Sequence, residues 1–302
     1  MGLYITQQLV NAVSYGSILG LLAVGYTMIY GILGLINFAH GEVFMIGAFV
    51  CYLATSVYSM PLIYGAALAL LASTGVGLLL QRYVYRPVIK RKAPLLTVFI
   101  ASFAASIGLR HIMMMFYTDK RRAFPIPQIF EKMFLVGGVA IGLRDILIFV
   151  VTIVIMSVLT YFIRYSKVGI GMRAVSYDRS TAELVGVNSS KVTIVAFVIG
   201  SALAGLSGLA YGLSFGIVNP SMGVTPGLTA FIAAVLGGIG NVTGAMIGGF
   251  IIGIGEVLFV ALLPASLSPL RPLFVWILLF VILFTKPSGL FKPNVKFEEI
   301  WE

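Results

Sequence analysis

Three polar residues stand close together between the first two long apolar runs, in the segment INFAHGE (36–42). Asn37, His40 and Glu42 bring an amide, an imidazole and a carboxylate within six positions. Ionisable groups at membrane depth are costly and usually functional, which would make these three candidates for a gate or a polar path. The alternative is a structural role for these residues, which assumes that they lie at the membrane interface. Glu42 would then lie in the first turn of the next helix, where the dipole favours an acid, and His40 would bond a free carbonyl.

The longest polar stretch is RYSKVGIGMRAVSYDRSTAELVGVNSSK (164–191). Asp178 can cap a helix, Ser180 to Glu183 fits a capping box, and Gly186 can end the helix in a left-handed conformation. The pattern predicts about two helical turns whose apolar residues are Ala182, Leu184 and Val185. So short a helix is marginal in water and would be stabilised by docking on another surface. The alternative is a loop with a frayed turn.

Glycines recur at one-turn spacing in the last third of the chain, including Gly237, Gly238 and Gly240. Small residues at this spacing let helix backbones approach closely in lipid. The alternative is a broken helix with exposed backbone N–H groups, which would line a path and attract a carboxylate. Both interpretations stay open for these three glycines.

Several kinds of chemistry are not supported by the sequence. It contains no phosphate-binding loop of the Gly-x-x-x-x-Gly-Lys-Ser/Thr type and no cluster of nucleophile, base and acid. The single cysteine, Cys51, rules out an internal disulfide. We therefore expect no enzyme activity, no metal site and no cofactor. Glu256 stands alone in an apolar run and either pairs with Arg271 across an outer loop or faces a wet cavity.

The composition requires a membrane around these residues. Of 302 residues, 60% are hydrophobic and 10% are charged, whereas soluble domains carry about 25% charged residues. The sequence predicts an all-α, polytopic transmembrane helical bundle of about eight or nine spans, and the whole chain, 1–302, as one membrane domain. The segment 228–263 is broken by glycines and is expected to form two short spans or half-helices. The other runs of spanning length are 9–35, 42–59, 61–81, 94–117, 145–163, 192–216 and 270–285.

The basic residues predict the orientation of these spans. Threading the spans in order places 82–92, 164–191 and the tail from 286 on one side, with thirteen Lys and Arg residues, and places 118–144 on the other side, with five. The positive-inside rule makes the first side cytoplasmic, so the C-terminus lies inside and the N-terminus outside. Because the +10 net charge is explained by this topology, no nucleic-acid partner is expected. No basic segment precedes the first run, so we expect a retained span rather than a cleaved signal peptide.

The gap 118–144 is expected to form an external cap with a short strand pair or an interfacial helix. Within it, Phe124, Pro125 and Pro127 would suit a docking surface. The alternative is a plain connecting loop.

Four motifs resemble one known family. The stretch 164–191 resembles the cytoplasmic coupling loop of the LivH-type permease subunits of branched-chain amino-acid ABC transporters. The resemblance covers nearly the whole chain. Its other motifs are GYTMIYG (25–31) running into INFAHGE, AAVLGGIG (233–240) followed by GAMIGG (244–249), and KPSGLF (286–291).

The resemblance implies partners and roles. They are two cytosolic ATPase subunits, a second homologous permease subunit and an extracytoplasmic solute-binding protein, assembled in the lipid of a bacterial cytoplasmic membrane. The short helix would then couple the permease to an ATPase. Permeases for urea, short amides or other amino acids, and ion-coupled carriers, remain the alternatives. The predicted coupling residues are Asp178, Ala182, Glu183, Leu184, Gly186, Val187 and Asn188.

Overall fold

A computed structural model describes residues 2–34, 36–91 and 93–291. Lys92, Lys292 and Lys296, which entered the charge count above, lie outside the described residues. The helices are α1 (Gly2–Leu33), α2 (His40–Tyr52), α3 (Leu62–Leu79), α4 (Arg86–Lys90), α5 (Leu95–Tyr117), α6 (Leu143–Tyr165), α7 (Lys167–Tyr177), α8 (Arg179–Leu184), α9 (Ser189–Phe215), α10 (Val224–Gly237), α11 (Val242–Leu262) and α12 (Arg271–Thr285). π-helical turns extend α2 and α3, over Leu53–Val57 and Leu80–Tyr85, and 3₁₀ turns span Gln128–Glu131 and Ala265–Leu270.

The predicted helical bundle is confirmed. Within the described residues, eight helices are long and apolar enough to cross a membrane, and α10, at 14 residues, is a shorter apolar helix. Fourteen residues of helix span only about 21 Å, less than the ~30 Å hydrocarbon core. This short element and α11 after it form the broken glycine-rich segment that the sequence predicts.

Helix α1 is the centre of the bundle. It is enclosed almost completely from Ala12 to Leu33 and packs along α9 and α11. Glycines make these contacts close: a Cβ at Gly249 would lie 2.4 Å from the Cα of Gly20, and one at Gly253 would lie 2.4 Å from the Cα of Gly16. Because lipid is as apolar as the side chains, such backbone approach is what holds membrane helices together.

Helix α2 begins inside the bundle. His40, its first residue, lies against Gly25 of α1, whereas α1 continues to Leu33. Eight residues of helix correspond to about 12 Å, so the chain turns back into the bundle before α2 starts. Residues Asn37 to Glu42 are therefore held among helices rather than at a surface.

A second break precedes α10 and was not predicted. After α9 ends at Gly216, which has a left-handed φ of 66°, the chain returns to the interior, and Gly223 meets Gly41 at the start of α2. Helix α10 then runs to Gly237 beside the C-terminal segment, where Leu290 N–H donates to the Leu236 carbonyl at 2.8 Å. The break after α10 was predicted from its glycines; the break before it was not.

The segment 118–144 forms a small cap that includes the expected strand pair. Strands β2 (Met133–Val136) and β3 (Val139–Gly142) make an antiparallel hairpin, while β1 (Arg122–Ala123) pairs with β4 (Ile217–Val218). Gln7 exchanges hydrogen bonds with the backbone of Ala140 at 2.8 and 2.9 Å, which places the N-terminus on the same side as this cap.

One expectation about the cap is wrong. Phe124 is buried and packs on Gly212 of α9, so it is not available as a docking surface. An aromatic side chain facing a glycine fills the space that a larger residue on α9 would take. The exposed large apolar residues of the cap are Ile129 and those of β2 instead.

The two alternatives for Glu256 are resolved in favour of the ion pair. Arg271 Nε donates to Glu256 Oε1 at 3.1 Å, and the Glu256 side chain is buried. The guanidinium also lies 4.7 Å from the ring centroid of Tyr15. The pair joins α11 and α12 to α1.

The close glycine contacts predict a selective sensitivity to added methyl groups. We expect Gly249→Ala to lower stability by about 1–3 kcal/mol, because its Cβ would enter the backbone of α1. Gly75→Ala is the matched control, since nothing lies within 4 Å of its Cβ position and alanine favours helix. The measurement is the Tm of each variant in detergent by fluorescence-detected size exclusion after heating. Equal Tm values for the two variants would contradict the packing described.

Candidate functional site

A cavity of about 260 Å³ opens where the starts of α2 and α10 meet α5. Its wall is largely apolar, with Phe38, Phe103 and Phe231 on different elements. Small-molecule sites usually start at about 300 Å³, so this volume suits a small solute. The charged residues of its wall are Glu42 and Arg110.

Glu42 supplies the carboxylate of this cavity from the first turn of α2. It is 1% exposed, and Ser106 Oγ donates to its Oε1 at 3.1 Å. Its Oε2 is buried without a hydrogen-bond partner. The first-turn position agrees with the structural interpretation, and the side chain lies inside the bundle rather than on its outer surface.

Arg110 lies one helical turn beyond Ser106 on α5 and is partly exposed. It forms no ion pair with Glu42, although both residues line the cavity. The Arg110 guanidinium is therefore a second charge on the same wall. Its N–H groups do not bind the Glu42 carboxylate. The sequence analysis did not single out Arg110; a lone arginine in the middle of an apolar run was the available signal.

His40 is 0% exposed and does not line the cavity. Its ring packs on Tyr26, with 4.5 Å between centroids, and its Nε2 lies 2.6 Å from where a Cβ would stand at Gly25. The ring interacts with the backbone carbonyl of Leu22, although neither ring nitrogen completes a hydrogen bond of good geometry. Among the described residues no group of His, Cys, Asp and Glu could share a metal ion.

Asn37 is held away from the cavity by a buried hydrogen bond. The Tyr85 hydroxyl donates to Asn37 Oδ1 at 2.6 Å. Tyr85 belongs to the π-helical turn at the end of α3 and is 1% exposed. This bond ties the loop before α2 to the basic segment that follows α3.

The three glycines of the predicted path lie elsewhere. Gly237 packs on Gly244, and the left-handed Gly238 meets the backbone of Phe291. Gly240, also left-handed, donates its N–H to Thr27 Oγ1 at 3.2 Å and lines a different cavity of about 270 Å³. The glycines that border the Glu42 cavity are Gly41, Gly223 and Gly227.

The polar stretch 164–191 forms two helices, α7 and α8. Helix α8 begins at Asp178, whose carboxylate accepts from the N–H groups of Ser180 and Thr181 at 2.9 and 3.1 Å. Hydrogen bonds from the Thr181 and Ser180 side chains are the largest reasons why the pKa of Asp178 falls to about 2. Because an unfolded aspartate has a pKa near ~3.9, the cap is complete above about pH 4 and is lost as the pH falls through about 2.

The predicted capping box is wrong. Asp178, not Ser180, is the cap, and Glu183 does not reach back to it. Glu183 instead accepts from the Ser189 hydroxyl and from Arg179 Nε, the latter at 3.3 Å, and these bonds lower its pKa. Glu183 therefore ties α8 to the start of α9.

The end of α8 follows the prediction. Gly186 has a φ of +87° and donates its N–H to the Glu183 carbonyl, while Val187 N–H bonds the Ala182 carbonyl. These two bonds form a Schellman motif. Asn188 then caps α9 by accepting from Lys191 N–H at 2.9 Å.

Of the seven predicted coupling residues, six are buried or take part in the caps and bonds described above, and one, Leu184, points outward. Ala182 is buried within the chain, and Asp178, Glu183 and Asn188 make the internal bonds described above. Leu184 and its neighbour Val185 point outward, 87% and 74% exposed. The unpartnered apolar surface of α8 is therefore this Leu-Val pair.

Helix α7 was missed by sequence reasoning. Ser166 Oγ caps it by accepting from Gly169 N–H at 2.9 Å, and Met172 and Val175 form its buried side. A serine followed by apolar residues at helical spacing was the available signal. Between α7 and α8 lies an open groove that includes Ile170, Tyr177 and Val185.

Comparison with known proteins gives one consistent result. The sequence profile of the branched-chain amino acid transport system / permease component family matches residues 8–285. The chain is 38% identical to the high-affinity branched-chain amino acid transport system permease protein LivH of Escherichia coli K12, covering 97% of this chain and 98% of the relative. It is also 38% identical to BraD of Pseudomonas aeruginosa, covering 96% and 97%.

A more distant relative has a different name. The ribose import permease protein RbsC of Haemophilus influenzae is 27% identical over 81% of this chain and 75% of its own length. No solved structure matches the chain. Since the family profile and the full-length relatives agree with the helical bundle, the chain belongs to the permease component family of branched-chain amino acid transport systems.

Proposed function

We propose that this chain moves branched-chain amino acids into the cytoplasm as the permease subunit of an ABC importer. The observation that carries the proposal is 38% identity over nearly the full length of two permeases named for this transport. The distant ribose permease indicates that related chains carry other solutes. The substrate assignment therefore rests on the nearer relatives and on the largely apolar cavity beside Glu42.

The energy for transport comes from other subunits. The sequence has no phosphate-binding loop, so we assign ATP hydrolysis to two cytosolic ATPases and no enzyme activity to this chain. A second, homologous permease completes the pore, and an extracytoplasmic binding protein delivers the solute. Helix α5 leaves a row of apolar residues, including Leu96, Phe103 and Met115, open to lipid or to that second permease.

Reconstitution tests the function directly. We expect liposomes that contain this chain with its ATPases, second permease and binding protein to take up leucine, isoleucine or valine only when ATP is supplied. Omitting the ATPases is the control and should abolish uptake. Uptake of leucine by this chain alone, driven by a proton or sodium gradient, would favour the ion-coupled alternative. Preference for urea or short amides over leucine would refute the substrate assignment.

We place the C-terminus and α7–α8 in the cytoplasm of a bacterial cell and the 118–144 cap outside its cytoplasmic membrane. The support is the excess of Lys and Arg on the side that carries 82–92, 164–191 and the tail from 286, compared with the side that carries 118–144. After Cys51 is replaced by alanine, cysteines introduced at Ser288 and Ser166 should resist an impermeant thiol reagent in intact cells and react after permeabilisation. A cysteine at Ser221 is the control and should react from outside. Labelling of the first two positions in intact cells would reverse the orientation.

We assign α8 as the coupling helix, because it ends in an exposed apolar pair, Leu184 and Val185, on the side that we place in the cytoplasm. A six-residue helix has little stability of its own, so its cap, its Schellman motif and its bonds to α9 hold Leu184 and Val185 in place for a partner. The groove between α7 and α8 extends this apolar contact. An ATPase groove that accepts a short helix fits this surface.

Leu184→Asp tests the coupling assignment. Burying an unpaired charge in an apolar contact costs several kcal/mol, and each ~1.4 kcal/mol weakens binding tenfold. We expect normal membrane insertion with loss of ATPase co-purification and of transport. Gly186→Val should act in the same direction, because a β-branched residue is strained at a φ of +87°.

Leu184→Met is the matched control, since it preserves apolar character and approximate volume. It should retain both the ATPase and transport. If Leu184→Asp purifies with the wild-type ratio of ATPase and transports normally, α8 is not the coupling element.

A further inference from the structure

The cavity beside Glu42 is lined by a carboxylate that has one oxygen without a hydrogen-bond donor. Glu42 Oε2 is buried and unpaired, on a side chain that is 1% exposed and lines the cavity. A buried polar group without a partner destabilises the protein, and does so more when it is charged. A donor that arrives with the solute would remove this destabilisation.

A second charge of opposite sign lies on the same wall. Arg110 lines the cavity from α5, one turn beyond Ser106, and makes no ion pair with Glu42. Had the two charges served only to neutralise each other, a direct ion pair like that of Glu256 and Arg271 would be expected. Their separation instead leaves an acceptor and a donor group that both line one cavity.

The remainder of the wall is apolar. Phe38 packs edge-on against Phe103 at 6.0 Å and lies 6.3 Å from Phe231, so three aromatic rings close one part of the cavity. A solute that matches all of these features has an ammonium group, a carboxylate and an aliphatic side chain. That combination describes a zwitterionic amino acid with an apolar side chain.

We propose that this cavity is a binding site for the amino acid in transit, inside the permease itself. Glu42 Oε2 accepts from the α-ammonium, Arg110 binds the α-carboxylate, and the rings of Phe38, Phe103 and Phe231 surround the side chain. The site rests on the proposed function and adds a selection step for zwitterions after the external binding protein. Ser106 acts as a positioning residue, because its bond to Oε1 leaves Oε2 directed to the solute.

The test uses the complete transporter in nanodiscs, without binding protein, and three ligands. They are leucine, 4-methylpentanoate, which lacks the ammonium, and 3-methylbutan-1-amine, which lacks the carboxylate. Binding is measured by isothermal titration for wild type, Glu42→Gln and Arg110→Gln. Ser157→Ala, on the exposed side of α6, is the control.

We expect each variant to lose a different ligand preference. The wild type and the control should bind leucine at least about tenfold more tightly than either fragment, because each charge-assisted contact is worth about 1.4 kcal/mol or more. Glu42→Gln should remove the advantage of leucine over 4-methylpentanoate, and Arg110→Gln should remove its advantage over 3-methylbutan-1-amine. Co-purification of each variant with its ATPases shows whether the complex has assembled. If Glu42→Gln fails to assemble, the partly exposed Arg110 variant still decides the question.

Two contrary outcomes separate this inference from the proposed function. ATP-driven leucine uptake with unchanged ligand selectivity in both variants would overturn the site alone. Uptake of a sugar or another uncharged solute, with no uptake of leucine, would overturn both.

Discussion

The contact of Gly41 with Gly223 and Gly227 lets two helices begin inside the bundle. A Cβ at Gly41 would lie 2.4 Å from the Gly223 carbonyl oxygen, and one at Gly223 would lie 2.1 Å from that of Gly41. No side chain fits between these backbones, so the starts of α2 and α10 meet directly. Lipid would not tolerate such irregular backbone, and only enclosure by neighbouring helices allows it at this depth.

The position of the charges follows from this contact. Because α2 starts against Gly25 rather than at the end of α1, Glu42 in its first turn is buried, and the positive end of the helix dipole stabilises its carboxylate. The Tyr85–Asn37 bond fixes the preceding loop. That bond also links the interior segment to the end of α3, on the side where we place the ATPases. The loop before α2 and the end of α3 are thus held together.

The sequence predicts the elements that depend on local chemistry. Apolar runs of spanning length give the spans, Asp178 and Gly186 bound α8, and the glycines at 237–240 mark a break. The sequence does not predict whether INFAHGE lies at an interface or inside a bundle, because its pattern of residues fits both positions. The surroundings of Phe124 and Arg110 could not be predicted either. The glycine that contacts Phe124 and the other residues around the cavity beside Arg110 come from distant parts of the chain. For Glu256 the sequence left an ion pair with Arg271 and a wet cavity equally open, and the structure shows the ion pair.

The two helix starts, the lone carboxylate and the aromatic wall lead to one central claim, that Glu42 and Arg110 face the solute. A cryo-EM structure of the complete transporter, trapped with leucine before ATP hydrolysis, tests this most directly. The account predicts density for the amino acid in the cavity, with its ammonium at Glu42 and its carboxylate at Arg110. Leucine bound elsewhere along the pore, with Glu42 closed off by a direct ion pair to Arg110, would contradict it.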